Sequence, residues 1–520
     1  MITTTLLTTI LAPSALAITY NVNSIAELQT KVDGAVAGDE IILANGEYLN
    51  STIKIRSNNV TVRSATPGGV LLNGINEILI SGSHVTFGGF QFTSGSIPGV
   101  VITVSGNNNT LTQLNFDGYS AQKYINIQGQ YNDLTYSNFR NKPVAAPIGN
   151  LIHIAPNGIV PNYARIRYCS FQDMPGNGGD NGNECIRIAN GVQSTNSSRT
   201  IVEYCYFNNT GGGDSEVISV KSRENVLRYN TFTNNQNAMM VFRNGNDNVA
   251  YGNHFINAGG IRVKEANNIF SYNNYFENAG VGGSMTAVSY DYISPNLKNI
   301  NFVHNTFVDC GMINLGSGAT NNTWANNIFK KSSGNIFAGS TPGISWAGNI
   351  YKGTLGISIP SGMTNADPLL NPIGYYGLSS TSPAINASSA SYPTILDITN
   401  IDDDPLLLLD ISGQARPNIV TQKDVGAFEF VHGGAITRGP LTLTDVGPSF
   451  LGGPDAATPK PTTAPTATPT ASSPTTKQTT AKPTTAKPAT AKPTTAKPTN
   501  KTPKLFGRAL RGSASIESTR

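Results

Sequence analysis

Residues 213–222 read GDSEVISVKS, which places Asp214, Glu216 and Lys221 in one short β-branched stretch. Asp214 and Glu216 share a parity and point to one side of a strand, whereas Lys221 has the other parity. For the three charges to meet, the chain must change register near Val217 and Ile218, at a bend or bulge. Neighbouring stretches add matching groups: NGNE with Asn181, CIRI with Arg187, FRNG with Arg243, and GGIRV with Arg262. Two carboxylates and an Asn amide oxygen are hard donors of the kind Ca2+ takes. A lysine beside a cation and an arginine is disfavoured in its charged form and can act as a base. Uronic-acid polymers carry a C5 proton alpha to a carboxylate, and neutralising that carboxylate makes the proton removable. A lysine would take the C5 proton while an arginine stabilises or protonates the departing O4. That chemistry is β-elimination, not hydrolysis.

The elements that must position these groups are visible as a repeat. A short motif recurs as LNF (114–116), SNF (137–139), NTF (230–232), NHF (253–255), NYF (274–276), NTF (305–307), NIF (327–329) and NIY (349–351). FQF (90–92), CSF (169–171) and CYF (205–207) fill the same slot. From Phe92 to Tyr351 the gaps are 24, 23, 32, 36, 25, 23, 21, 31, 22 and 22, so most turns take 21–25 residues and three carry insertions. Short β-branched strands separated by Asn and Gly at this period predict an all-β, right-handed parallel β-helix. One aromatic per turn should stack in a buried column, and the preceding Asn should form an amide ladder. Residues one turn apart lie side by side, so the charged groups should line one face. Cys169 and Cys205 take the ladder slot on successive coils, where either two stacked thiols or a disulfide would fit.

Ser24-Ile25-Ala26-Glu27 is a capping box that predicts a short helix over the open first coil. Coils should then run from about Glu40 to DVGAFEF (424–430). The predicted organisation is a signal peptide over 1–17, a β-helix domain over 18–432 and a low-complexity tail over 433–520. Residues 1–17 hold a short apolar stretch ending in Ala15-Leu16-Ala17, an A-x-A-like cleavage site. No later apolar run is long enough to span a membrane. The tail's Thr/Pro/Ala/Lys repeats cannot build a core and should be disordered.

The ordered set GDSEVISVKS, NGNECIRI, FRNG and GGIRV, together with ANGEY (44–48) and DVGAFEF, resembles polysaccharide lyase family six across roughly residues 20–430. That family holds alginate lyases and the dermatan-cleaving chondroitinase B. The resemblance implies Lys221 as Brønsted base and Arg243 as acid. It implies Asn181, Asp214 and Glu216 as ligands for Ca2+, and Arg187 and Arg262 as contacts to the substrate carboxylate. Two residues depart from the pattern: Asp214 stands where Glu is usual, and Asn244 stands where the His after the catalytic Arg is usual. Asn244 is accordingly a substrate-subsite candidate. The expected substrate is an acidic polysaccharide, alginate first and dermatan sulfate second. A polygalacturonase-type hydrolase would need clustered aspartates and a GHG-like segment, neither of which is found. A non-catalytic β-helix adhesin is the remaining alternative.

Charge excludes other classes. Residues 455–520 hold eleven Lys/Arg against two acids, about +9, which leaves about −5 on residues 1–454 out of a total of +4. A mildly acidic body gives no basic patch for nucleic acid. The basic tail could contact a cell wall or polyanion. A secreted, extracellular location is expected, consistent with sequons at Asn50, Asn59, Asn108, Asn196, Asn208, Asn321 and Asn386. Other tempting residues read more simply. Arg223 and Glu224 look like a solvated turn, Asp402–Asp404 a loop, and His153 and His254 structural positions. Trp324 and Trp346, 22 residues apart, mark coil repetition.

Overall fold

The computed structural model describes residues 16–455, apart from 157, 175–181, 212–214, 236, 283–285, 292–296, 319, 372–376, 397, 399–407 and 431–437. Residues 1–15 of the expected signal peptide, the acids Asp402–Asp404 and residues 456–520 lie outside the described residues.

Short parallel strands wind through three sheets of 14, 12 and 14 strands, each strand pairing with its counterpart one turn earlier and later. This is the expected parallel β-helix. The pairing starts at Thr19–Val22 and ends at Met363–Asn365. Helix Ile25–Asp33 covers the first coil. Ser24 Oγ accepts from Glu27 N at 3.1 Å, and Leu28 and Val32 are fully buried beneath the helix.

Two columns hold successive coils together. Phe171, Phe207, Phe232, Phe255 and Phe276 stack with centroid separations of 4.8, 4.7, 4.8 and 4.7 Å, and the series extends from Phe92 to Phe329. The spacing is the parallel-strand repeat itself, about 4.8 Å. Beside it, Asn230, Asn253, Asn274, Asn305, Asn327 and Asn349 pass amide hydrogen bonds Nδ2→Oδ1 at 3.0–3.1 Å. Cys169 and Cys205 occupy the earlier slots as free thiols whose Sγ atoms donate to backbone carbonyls. Trp324 and Trp346 are register partners, as the repeat required.

DVGAFEF differs from expectation. It is not a further coil but lies along the flank of the helix, where Gly426 N donates to Asn326 O and Ala427 N to Thr306 Oγ1. Val425, Ala427 and Phe428 are buried there against Tyr275, Ile328 and Ile350. An apolar alternation satisfies a flank groove as well as a coil, which is why the pattern misled. Residues 438–453 then run back along the coils, with Leu441 N bound to Thr231 Oγ1 and Ser449 N to Gln113 Oε1. Among the described residues no helix is long and apolar enough to cross a membrane.

Candidate active site

Four consecutive strands of the 12-stranded sheet build the site: Ile186–Ile188, Glu216–Val220, Met239–Arg243 and Ile261–Lys264. Their inward residues (Ile186, Ile188, Ile218, Val220, Met240, Phe242, Ile261, Val263) join the core. The residues between point out. Arg187 pairs laterally with Ser219, Ser219 with Val241, and Val241 with Arg262. Earlier on the same row, Asn126 pairs with His153 and His153 with Arg187.

The parity conflict in GDSEVISVKS resolves at a bulge. Glu216 pairs with Met239 but Ile218 with Met240, so Val217 is the extra residue. Met239 has the outward parity of Val241 and Arg243, and Glu216 therefore faces out with Ser219. Lys221 follows Val220 out of the strand, its N–H donating to Ile188 O at 2.8 Å. Without the bulge, Glu216 and Lys221 would lie on opposite faces.

The side chains then meet. Arg243 Nη1 donates to Glu216 Oε1 at 2.9 Å, with Glu216 only 2% exposed. Lys221 Nζ lies 4.0 Å from Glu184 Oε1, and both are buried. Arg262 Nη1 reaches Ser215 Oγ at 3.3 Å. Asn244, in a left-handed conformation at φ 63°, donates from Nδ2 to Glu265 Oε2 at 2.8 Å. Burial, and next the Arg187 guanidinium, lower the Lys221 pKa below the usual lysine range, with Arg243 adding to this and Glu216 and Glu184 opposing it. A lysine so placed gives up its proton more readily than a solvated one.

Of the eight candidate residues, the fold brings Arg187, Glu216, Lys221, Arg243 and Arg262 to one face and sets Asn244 at the turn after Arg243, bonded to Glu265; Asn181 and Asp214 lie outside the described residues. The proposed cation ligands fit calcium in kind, as carboxylate and amide oxygens. Glu216 is the described member of that set, and its buried carboxylate is shared with Arg243. Among the described residues no group of three His, Cys, Asp or Glu suited to a metal occurs.

The sequence reading passed over several groups here. Glu184 ends the NGNE stretch, and an acid directly ahead of the Arg187 strand is a usable signal. Lys142 is 5% exposed, donates from Nζ to Gly149 O at 2.8 Å, and has its pKa lowered to about 8 by burial against the opposing pull of Cys185 and Glu184. His153 is not a core residue but an outward one, and neither ring nitrogen has a hydrogen-bond partner. Burial, Lys123 and Arg187 lower its pKa to about 4, so its ring is neutral at ordinary pH. Asn126 Oδ1, Arg187 Nε and Ser219 Oγ along the same row are likewise buried and unpartnered. Buried polar atoms without a protein partner in one row are groups that a water or a ligand has to satisfy. His254, by contrast, is structural as expected, 3% exposed beside Tyr275. Arg223 and Glu224 are more than a solvated turn, because Arg223 binds Asp247 at 2.7 Å and Glu224 binds Arg199 at 2.6 Å.

A family model described as chondroitinase B matches residues 22–310. No curated protein matches the chain. Similar solved structures include a PL6 family alginate lyase, AlyGC, at 23% identity and TM-score 0.63, covering 73% of this chain and 59% of that one. This chain thus spans under two thirds of that lyase. A mannuronic acid specific family 6 lyase from human gut microbiota is 22% identical with TM-score 0.57, covering 65% and 86% of the two chains. A PL6 family polysaccharide lyase from Pseudopedobacter saltans is 22% identical with TM-score 0.53, covering 67% and 94%.

Proposed function

The chain belongs to the chondroitinase B family, and on that premise we propose that it is a secreted polysaccharide lyase that cleaves uronate-containing polymers by β-elimination. The observation that carries this reading is Lys221, buried and easily deprotonated, turned by the Val217 bulge to the face shared by Glu216 and Arg243. Lys221 removes the C5 proton. Arg243, one coil on, stabilises or protonates the departing O4, and its bond to Glu216 fixes its guanidinium for that task. Arg187 and Arg262 flank the pair on the outward row and orient the substrate carboxylate. Asn181, Asp214 and Glu216 would hold a Ca2+ ion, which when bound neutralises that carboxylate and acidifies the C5 proton.

Alginate is the preferred substrate, since AlyGC is described as an alginate lyase and the gut relative as mannuronic acid specific. Dermatan sulfate is the second reading, favoured by the name of the matching family model. The test incubates the protein with alginate, pectate and dermatan sulfate, with and without Ca2+, while ultraviolet absorbance reports unsaturated uronate ends. Alginate should give the fastest rise. Silence on all three polymers rules the lyase reading out in favour of a binding protein. Lys221→Ala should lower kcat by roughly 10²–10⁴-fold, the usual contribution of a general base. Retained activity in that variant would move the base elsewhere and leave the reaction class standing.

A further inference from the structure

A second groove lies on a different face of the β-helix, across the turn that follows the active-site strands. Its volume is about 320 Å³; the hydrogen-bonded row Asp247, Asn268, Asn299 and Asn321 forms one wall, the buried Phe270 and Asn301 the floor, and Pro393, Thr394 and Leu396 complete the lining. That volume falls within the range of small-ligand sites, roughly 300–1,000 Å³.

The polar wall is built by the repeat. Asn268, Asn299 and Asn321 hold the same left-handed turn position, at φ 54°, 58° and 54°. Asn321 Nδ2 donates to Asn299 Oδ1 at 2.6 Å, Asn299 to Asn268 at 2.6 Å, and Asn268 to Asp247 Oδ1 at 2.7 Å. Each amide uses one N–H in the row and keeps a second for something else, so the wall presents evenly spaced donors at the coil repeat. Asn301 on the floor is 1% exposed; its Nδ2 donates to Asn299 O at 3.0 Å, and its Oδ1 has no partner. A buried, open amide oxygen in a groove of this size calls for a donor from a ligand. Phe270 is 7% exposed, and with Leu396 and Pro393 it adds apolar surface to the same lining.

Charge narrows the occupant. Among the described residues Asp247 is the one ionisable residue lining the groove, and Arg223 Nε already binds its Oδ2 at 2.7 Å. The wall therefore offers neither a free cation for a uronate nor a free anion for an amine. Amide donors and an amide acceptor, together with hydrocarbon surface in the same lining, match a pyranose ring with its hydroxyls along its edge and its C–H face apolar. We infer that this groove binds an uncharged sugar segment, separately from the acidic polymer of the catalytic face. The protein would then hold two kinds of glycan at once, one to cut and one to rest on.

Isothermal titration of the full chain with cellohexaose and with mannohexaose tests this. At least one should bind with a Kd on the order of millimolar or tighter, and a uronate trimer should not compete. Thr394→Trp at the exposed rim should fill the groove. Asn321→Gly should remove the last amide while keeping a residue at ease with positive φ. Both variants should weaken binding roughly tenfold or more, with unchanged melting temperature and unchanged rates on uronate polymer. Failure of both hexaoses to bind overturns the proposal. So does binding that survives both variants, or binding displaced by the uronate trimer, which would place the sugar in the catalytic cleft.

Discussion

Lys221 stands between opposing influences whose sources are separate residues. Burial and then Arg187 lower its pKa, whereas Glu216 and Glu184, the latter 4.0 Å away, raise it. A base must be neutral to act, so kcat/KM should climb as pH rises through the Lys221 pKa, which lies below the usual lysine value. Arg187→Ala removes a lowering influence and should move that ascending limb to higher pH. Glu184→Gln removes a raising one and should move it to lower pH, with the side-chain shape kept. Opposite displacements from two neighbours are hard to obtain by general loosening of the site, which would shift both limbs alike. Profiles of kcat/KM from the ultraviolet assay decide it. His153 gives a separate prediction. Its neutral ring and open nitrogens lie one coil before Arg187 on the outward row. His153→Ala should raise KM for long polymer by roughly three- to tenfold, the worth of one or two hydrogen bonds, with kcat little changed.

At the scale of the elements, the Asn column is what each coil contributes to the next. Asn274 is fully buried; its Oδ1 accepts from Asn253 N at 2.9 Å and from Asn253 Nδ2 at 3.0 Å, and its own Nδ2 donates to Asn305 Oδ1 at 3.1 Å. Asn274→Ala strands donors on one side and an acceptor on the other. A loss of about 2–4 kcal/mol should follow, since each orphaned buried group costs about 1–3 kcal/mol. Urea denaturation would measure it, and a change below about 0.5 kcal/mol would show that the ladder contributes little. This column was legible in the sequence because Asn-x-Phe recurs at nearly constant spacing. The Val217 bulge was legible for a different reason: charges of opposite parity had to reach one face. Which groups Glu184 and His153 would sit beside was not legible, because lateral neighbours are set by register across coils whose gaps stretch to 32 and 36 residues. Insertions of that length hide which residue sits beside which. DVGAFEF was misplaced because burial on a flank and burial in a coil demand the same apolar alternation.

Over the whole molecule, charge is arranged against itself. Residues 1–454 sum to about −5 while residues 455–520 sum to about +9. Yet on the catalytic face Lys123, Arg187, Lys221, Arg243 and Arg262 lie within a few coils of one another. A net-acidic body repels a polyanion at long range and attracts it only within about a Debye length of that face, roughly 10 Å at 0.1 M salt. A basic segment on the same chain reverses the long-range term without altering the cleft. Residues 438–453 run back along the coils as far as Gly68, where Phe450 packs. A chain ending at residue 455 retains every contact described above and should keep its fold. That truncated protein should cut soluble uronate polymer with kcat within about twofold of the full chain, since no tail residue enters the proposed chemistry. On an immobilised anionic polysaccharide at low ionic strength it should elute early, while the full chain should be held until roughly 0.3–0.5 M salt screens the tail. Equal retention of the two would place the attraction in the catalytic face alone and leave the tail without this role.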